Sequence, residues 1–170
     1  AVRDKDGISA MLAFVELAAS CAQRGETVLD RLEAIYREHG LHVTCQQSIA
    51  LDPKRKGPTV GELLRQEPPT SIGGRAVQSV GDILTGKRRL ADGSEKSIDL
   101  PQSDVLVFEL DGGARVVVRP SGTEPKLKCY YELRDRVGES EPFEAAHRRA
   151  TTSLDELVAA HQAEIAALSK

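Results

Sequence analysis

Cysteine is rare in this chain, and the short motifs that mark many metal, redox and nucleotide sites are missing from it. The three cysteines lie far apart and form no C-x-x-C pair, so neither a structural zinc site nor a thioredoxin-type centre is indicated. The sequence has no H-E-x-x-H zinc motif either. It also has no Walker A spacing and no G-x-G-x-x-G, so nucleotide binding is not indicated. Unpaired thiols are typical of a reducing compartment, and we therefore expect a cytoplasmic protein.

The chain also lacks a surplus of positive charge and any long apolar run. Lysine and arginine number 23 against 26 aspartates and glutamates, a net charge of −3. We expect no nucleic-acid partner, because proteins that bind a phosphate backbone carry a basic footprint. No segment approaches the roughly 18 apolar residues of a membrane span, and the opening AVRDKDG lacks the layout of a secretory signal. Met11 is the sole methionine and the chain starts at Ala1, so we expect a fragment or a processed chain.

The N-terminal part of the sequence predicts two helices followed by a strand. A helix over residues 1–24 is apolar on more than half of its circumference, so we expect it to have neighbours on more than one side. Thr27 and Asp30 have the spacing of a capping box for a second helix, which ends at Gly40. Alternating apolar and polar residues over 41–51 predict a strand.

A polar segment that is broken by two prolines, residues 52–58, marks the predicted domain boundary. It separates a segment at 1–52 from a segment at 53–170. Just beyond it, Thr59 and Glu62 have the spacing of another capping box, which predicts a short helix.

The second segment predicts an α+β unit with a four-stranded antiparallel sheet and two helices. Its β-type runs stand at 75–82, 104–110, 114–120 and 127–136. The D-G-G at 111–113 predicts a hairpin turn with positive φ. We expect residues 86–100, which are charged and contain glycine, to form a mobile loop. Residues 142–168 predict a helix, and His161 on its apolar stripe is expected to be a partly buried, hydrogen-bonded residue and not a ligand.

The segment from Arg119 to Lys126, RPSGTEPK, holds the most concentrated binding chemistry in the chain. Two prolines stiffen a tight loop between two β-runs, and its glycine permits a ligand to approach the backbone closely. Arg119 offers a planar bidentate donor, Ser121 and Thr123 offer hydroxyl groups, and N–H groups around Gly122 suit an anion-binding nest. These donors match a phosphate dianion. The alternative is an ordinary surface turn, because turns use the same residue types.

The order of these residues resembles the phosphate-binding loop in the last domain of the α-D-phosphohexomutases, the phosphoglucomutase and phosphomannomutase enzymes. The resemblance continues through LKCYYE, which follows the loop. Upstream, VRDKDGISAMLAFVELAA and LDRLEAIYREHG are similar to the end of the third domain of that family, and PPTSIGG is similar to the entry of the fourth. The resemblance thus covers nearly the whole chain and is weakest at residues 86–100.

The resemblance implies a fold and a domain assignment. Residues 1–52 would be the C-terminal part of the third domain, a helical remnant of an α/β domain. Residues 53–170 would be the complete fourth domain, with a TBP-like α+β fold. Members of the family interconvert hexose 1-phosphates and 6-phosphates, of glucose or mannose, through a phosphoserine and a hexose 1,6-bisphosphate, with Mg²⁺ held in the second domain.

The loops that carry the phosphoserine, the Mg²⁺ ligands and the sugar-reading residues in the family have no counterpart in this sequence. The resemblance therefore implies a segment that works with the missing N-terminal domains of the same chain and is inactive alone. A free-standing, non-catalytic phosphosugar-binding or interaction module is the alternative that the sequence leaves open. The sequence also leaves open whether the sugar is glucose, mannose or N-acetylglucosamine.

The resemblance also assigns roles to single residues. Four residues would bind the substrate phosphate that is not transferred: Arg119, Ser121, Gly122 and Thr123. Glu124 and Lys126 match the same motif as weaker candidates, and Glu124 is expected to orient Arg119 or the loop backbone. Arg3 and Lys5 match a basic stretch near the cleft of the glucose-type enzymes, where Lys5 is the one candidate for a catalytic role. No metal ligand is expected in this segment.

Overall fold

A computed structural model describes residues 5–52, 57–121 and 124–168 of the protein. Within these ranges the chain forms helices and an antiparallel sheet, so the predicted α+β class is confirmed. None of the described helices is both long and apolar enough to cross a membrane.

The N-terminal part folds into helix α1 (Gly7–Gln23), helix α2 (Val28–His39) and strand β1 (Leu41–Ala50), as the sequence predicts. The carboxylate of Asp6 caps α1 by accepting hydrogen bonds from the N–H groups of Ile8 and Ser9, both at 3.1 Å. The predicted capping box at the start of α2 is confirmed, because Thr27 and Asp30 each bond the other's backbone N–H. Local polar side chains therefore fix where both helices begin.

Helix α1 exposes most of its apolar surface. Of its residues only Cys21 is buried, whereas Ile8 is 73% exposed and Phe14 58%. The expected contacts on more than one side are therefore not made by the described residues. An exposed apolar surface of this kind typically marks an interface.

The C-terminal part contains two helices and seven strands among the described residues. Helix α3 (Val60–Gln66) starts at Thr59, whose predicted capping box with Glu62 is confirmed, and helix α4 (Phe143–Leu168) follows the last strand. The strands in chain order are β2 (Ser71–Ile72), β3 (Arg75–Asp82), β4 (Lys87–Leu90), β5 (Glu95–Ser97), β6 (Leu106–Leu110), β7 (Ala114–Pro120) and β8 (Lys126–Asp135).

The sheet is wider than the four strands that the sequence predicts. In the described residues its order is β1-β8-β7-β6-β3-β4-β5, with β2 paired to β3 and every pairing antiparallel. The four predicted strands, β3, β6, β7 and β8, form its centre. Strand β1, which the sequence assigns to the first segment, pairs with β8 along its whole length. The predicted segments 1–52 and 53–170 therefore share one sheet.

The prediction of a mobile loop at residues 86–100 is wrong, because strands β4 and β5 form a hairpin there. Lys87 and Glu95 form a salt bridge across it at 3.0 Å, and the turn contains Gly93 at φ 83°. This hairpin lies at the edge of the sheet, where both faces of its strands contact water. Its sequence therefore lacks the alternation of apolar and polar residues that reveals a half-buried strand.

One face of the sheet carries the hydrophobic core. Alternate residues of β6, β7 and β8, such as Phe108, Val116 and Tyr131, are fully buried in a single cluster with residues of α3 and α4. The predicted hairpin between β6 and β7 is confirmed, with Gly112 at φ 71° and Gly113 at φ 73°. The opposite face of β1, β8 and β7, hereafter the outer face, carries the intervening polar residues.

Candidate functional site

The RPSGTEPK motif forms the end of β7, the start of β8 and the β7–β8 loop (residues 121–125) between them. The N–H of Ser121 donates to the carbonyl oxygen of Lys126 at 2.8 Å, which closes the base of the loop. The N–H of Lys126 donates to the carbonyl oxygen of Glu124 at 2.7 Å. The Ser121 N–H is thus engaged within the protein and does not contribute to the anion-binding nest that the sequence suggests.

Strand register places Arg119 beside a second cation that the sequence analysis missed. Arg119 on β7 is the direct cross-strand partner of Lys128 on β8, and Lys128 is the partner of Ser48 on β1. Directly opposed residues in a sheet point to the same face, with Cβ atoms about 4.5–5.5 Å apart. The three side chains therefore form one row across the outer face, next to the loop.

This row carries uncompensated positive charge. Within the described residues, neither the Arg119 guanidinium nor the Lys128 ammonium has a hydrogen bond or an ion pair. Arg119 is exposed and Lys128 is half-buried. Like charges that stand directly opposite in a sheet destabilise it. Two cations in this arrangement are stabilised when an anion binds between them.

A second arginine on the outer face, Arg115, is paired with a carboxylate. Four residues earlier on β7, Arg115 pairs with the carboxylate of Glu132, which also lies 2.8 Å from Nδ1 of His42. The hydrogen bond with His42 and then the Arg115 guanidinium lower the pKa of Glu132. That arginine is therefore neutralised by the protein itself, whereas no described residue neutralises Arg119 on the same face of the same strand.

Glu124 and Lys126 pair with each other. The Nζ atom of Lys126 lies 3.2 Å from a carboxylate oxygen of Glu124, and both side chains are about half exposed. Among the contacts of the described residues, Glu124 makes none with Arg119, so the expectation that Glu124 orients that guanidinium is not met. It contributes to the loop backbone instead, through its carbonyl oxygen.

The remaining predicted site residues are only partly described. Gly122, Thr123 and Arg3 lie outside the described residues. The Ser121 hydroxyl makes no hydrogen bond within the described part of the chain. Lys5 is exposed and directly precedes the residue that caps α1.

The described residues do not fit the Mg²⁺ that the resemblance implies for the complete enzyme. They contain no group of three or more histidine, cysteine, aspartate or glutamate side chains that could hold a metal ion. Oxygen ligands from several carboxylates or carbonyls are what this ion requires.

The part of the chain that holds this site is similar in sequence to known proteins. Residues 75–141, from the start of β3 to beyond the end of β8, match the phosphoglucomutase/phosphomannomutase C-terminal domain. A probable phosphomannomutase of Haemophilus influenzae is 36% identical over 136 residues, which are 79% of this chain and 25% of that protein. The chain belongs to the phosphoglucomutase/phosphomannomutase family.

A second relative supports the same conclusion under the other enzyme name. A phosphoglucomutase of Staphylococcus aureus (strain MSSA476) is 34% identical over 139 residues, again 79% of this chain and 25% of that protein. The chain thus spans about a quarter of the length of these curated relatives. The residues that match the family include the β7–β8 loop and the Arg119–Lys128 pair.

Proposed function

We propose that this chain is the C-terminal segment of a phosphohexomutase and that it binds the substrate phosphate that is not being transferred. In the complete enzyme, a hexose 1-phosphate of glucose or mannose would be converted to the 6-phosphate through a phosphoserine and a bisphosphorylated intermediate. Neither the nucleophile nor the metal loop belongs to this segment. Its contribution is positioning and charge neutralisation, which dominate phosphoryl transfer.

The observation that carries the proposal is the pair of Arg119 and Lys128 beside the loop, which no described residue neutralises. A phosphate dianion between them would accept a bidentate pair of hydrogen bonds from the guanidinium and a further one from the ammonium. The hydroxyl of Ser121, at the same end of β7, adds a neutral donor. We propose Lys128 as a phosphate ligand in addition to Arg119, Ser121, Gly122 and Thr123.

The exposed apolar surface of α1 supports a location within a larger protein. Its residues Ile8, Leu12 and Phe14 are each more than half exposed. Burial of large apolar side chains is worth about 1.5–3 kcal/mol each. The N-terminal domains of the same chain are the proposed partner for this surface. This feature favours the enzyme segment over a free-standing phosphosugar-binding module.

The proposal can be tested on the chain as it stands. Inorganic phosphate and glucose 1-phosphate are titrated into the isotopically labelled chain, and backbone shifts near Arg119 report the dissociation constants. A hydrogen bond to a charged group contributes about 1.5–3 kcal/mol, so Arg119→Ala should weaken binding about ten- to a hundredfold. Lys128→Met should weaken it about tenfold.

Two control variants remove the same charge elsewhere. Arg148→Ala removes an exposed arginine from α4, on the other side of the sheet, and Lys96→Met removes an exposed lysine from β5. Both should bind the two probes as the unchanged chain does. If all four variants bind alike, the attraction is not local to the Arg119–Lys128 row and the site assignment fails.

A further inference from the structure

The β7–β8 loop has two arms, Pro120 at the end of β7 and Pro125 before β8. Residues just before the predicted domain boundary hold the arm at Pro125, and residues just after it lie beside the arm at Pro120. Leu51 directly follows β1, and its N–H donates to the carbonyl oxygen of Pro125 at 2.8 Å. This bond extends the β1–β8 pairing, whose last partners are Ala50 and Lys126, by one step into the loop. The arm that leads into β8 is thus tied to the last residues before the boundary segment.

The other arm contacts the chain just after that segment. Gly61 in the first turn of α3 is buried, and a Cβ atom placed on it would lie 3.8 Å from Cγ of Pro120 and 3.4 Å from Nη1 of Arg65. Arg65 in turn anchors α3 to the sheet through Asp82, at 3.2 Å, and through Asp104, at 2.5 Å. Helix α3 is therefore held to the rest of the domain by Arg65, and the ring of Pro120 lies beside its first turn.

We propose that Leu51 and Gly61 are positioning residues for the phosphate site. The inference rests on the proposed function, because it assigns these residues to the same site. Arg119 directly precedes Pro120, and Lys128 lies three residues after Pro125. The β7–β8 pairing places the two cations opposite each other, and the Leu51 N–H and the packing at Gly61 add to it by holding the two arms from outside. Neither residue contacts the phosphate itself.

Matched substitutions separate positioning from stability at Leu51. Leu51→Ala keeps the N–H but removes a side chain that packs on the core, so it should lower the melting temperature and leave the dissociation constant for glucose 1-phosphate within about twofold. Leu51→Pro removes the donor and should weaken binding about tenfold, the loss expected when a hydrogen bond that sets the site is missing. If Leu51 had only a structural role, the loss of binding in the two variants would follow their loss of stability.

Gly61 offers a second and independent pair. An alanine there makes ordinary contacts, so Gly61→Ala should bind glucose 1-phosphate as the unchanged chain does. The branched side chain of Gly61→Val needs space that Pro120 and Arg65 occupy, and the variant should bind about tenfold more weakly. If Leu51→Pro fails to fold, the dissociation constants of Gly61→Ala and Gly61→Val still test the positioning role.

A measurement without any substitution provides the third test. Linkage requires that a ligand whose affinity depends on a bond also stabilises that bond. Saturating glucose 1-phosphate should therefore slow hydrogen exchange of the Leu51 amide by up to about tenfold in the unchanged chain. It should not slow this exchange in Arg119→Ala.

The outcomes distinguish this inference from the function on which it rests. If the unchanged chain binds neither glucose 1-phosphate nor inorganic phosphate, the proposed function itself fails. If it binds and Arg119→Ala does not, but Leu51→Pro and Gly61→Val bind normally, only the positioning role is wrong. Unchanged exchange at Leu51 on saturation would also overturn it.

Discussion

Acid should destabilise this protein through one buried histidine. His161 on α4 is 2% exposed, and its Nδ1 lies 2.9 Å from the hydroxyl of Tyr131 on β8. Burial lowers the pKa of His161 from 6.5 to about 4. The imidazole is therefore neutral at neutral pH, and its Nδ1 shares a hydrogen bond with the Tyr131 hydroxyl.

The sign and size of the effect follow from this pKa. Between pH 6.5 and about 4 the unfolded chain binds a proton at His161 and the folded chain does not, so the free energy of unfolding falls as the pH falls. Each pKa unit corresponds to about 1.4 kcal/mol, so the loss across this window is roughly 3 kcal/mol. A domain of this size has about 5–15 kcal/mol in total, so the effect is large.

The assay is urea unfolding between pH 4 and pH 7.5, on the unchanged chain and on His161→Asn. Asparagine keeps a group that can hydrogen-bond to Tyr131 but does not titrate, so the difference between the two chains isolates the histidine from the carboxylates. Tyr131→Phe should keep the pH dependence, because burial and not the hydrogen bond lowers the pKa. If the unchanged chain and His161→Asn lose stability in parallel as the pH falls, the reasoning is wrong.

Four further predictions concern the site and the fold. The isolated chain should show no mutase turnover with glucose 1-phosphate, even with Mg²⁺ and a bisphosphate activator, and turnover by a clean preparation would contradict this. In a complete parent enzyme, Arg119→Lys should recover only part of the kcat/KM that Arg119→Ala loses, because an ammonium does not reproduce the planar fork. Sedimentation velocity should show concentration-dependent self-association of the isolated chain through exposed α1, and Phe14→Lys should reduce it. Gly73→Ala should lower the melting temperature, since Gly73 has φ 55° and a Cβ there would lie 2.8 Å from Leu157. The matched control is Gly74→Ala, because Gly74 also has a positive φ, 75°, but open space around its Cβ position.

The sequence predicts only part of the proposed phosphate site. Arg119 and Ser121 stand in one short motif, and the resemblance that the motif carries predicts them directly as phosphate ligands. Lys128 lies outside the motif and looks like a surface residue in a β-run. It becomes a candidate only through register, because pairing of β7 with β8 places it opposite Arg119. Register is a property of two strands together, and neither strand encodes it alone.

The same distinction applies to the fold. Helix starts at Thr27 and Thr59, the hairpin at residues 111–113 and the four central strands were predicted correctly, because capping, turn conformation and alternation of apolar residues are local signals. The hairpin at 86–100 was missed because an edge hairpin that contacts water on both faces has no such alternation.

The amino-acid sequence by itself determined the family, the α+β class and the loop that carries Arg119. Three features become apparent only in the folded structure: β1 adds to the C-terminal sheet, Lys128 stands opposite Arg119, and Leu51 and Gly61 lie beside the arms of the loop. Each of these depends on contacts between residues far apart in the chain. Such contacts form only when packing of the core fixes the strands against one another, so no local pattern records them.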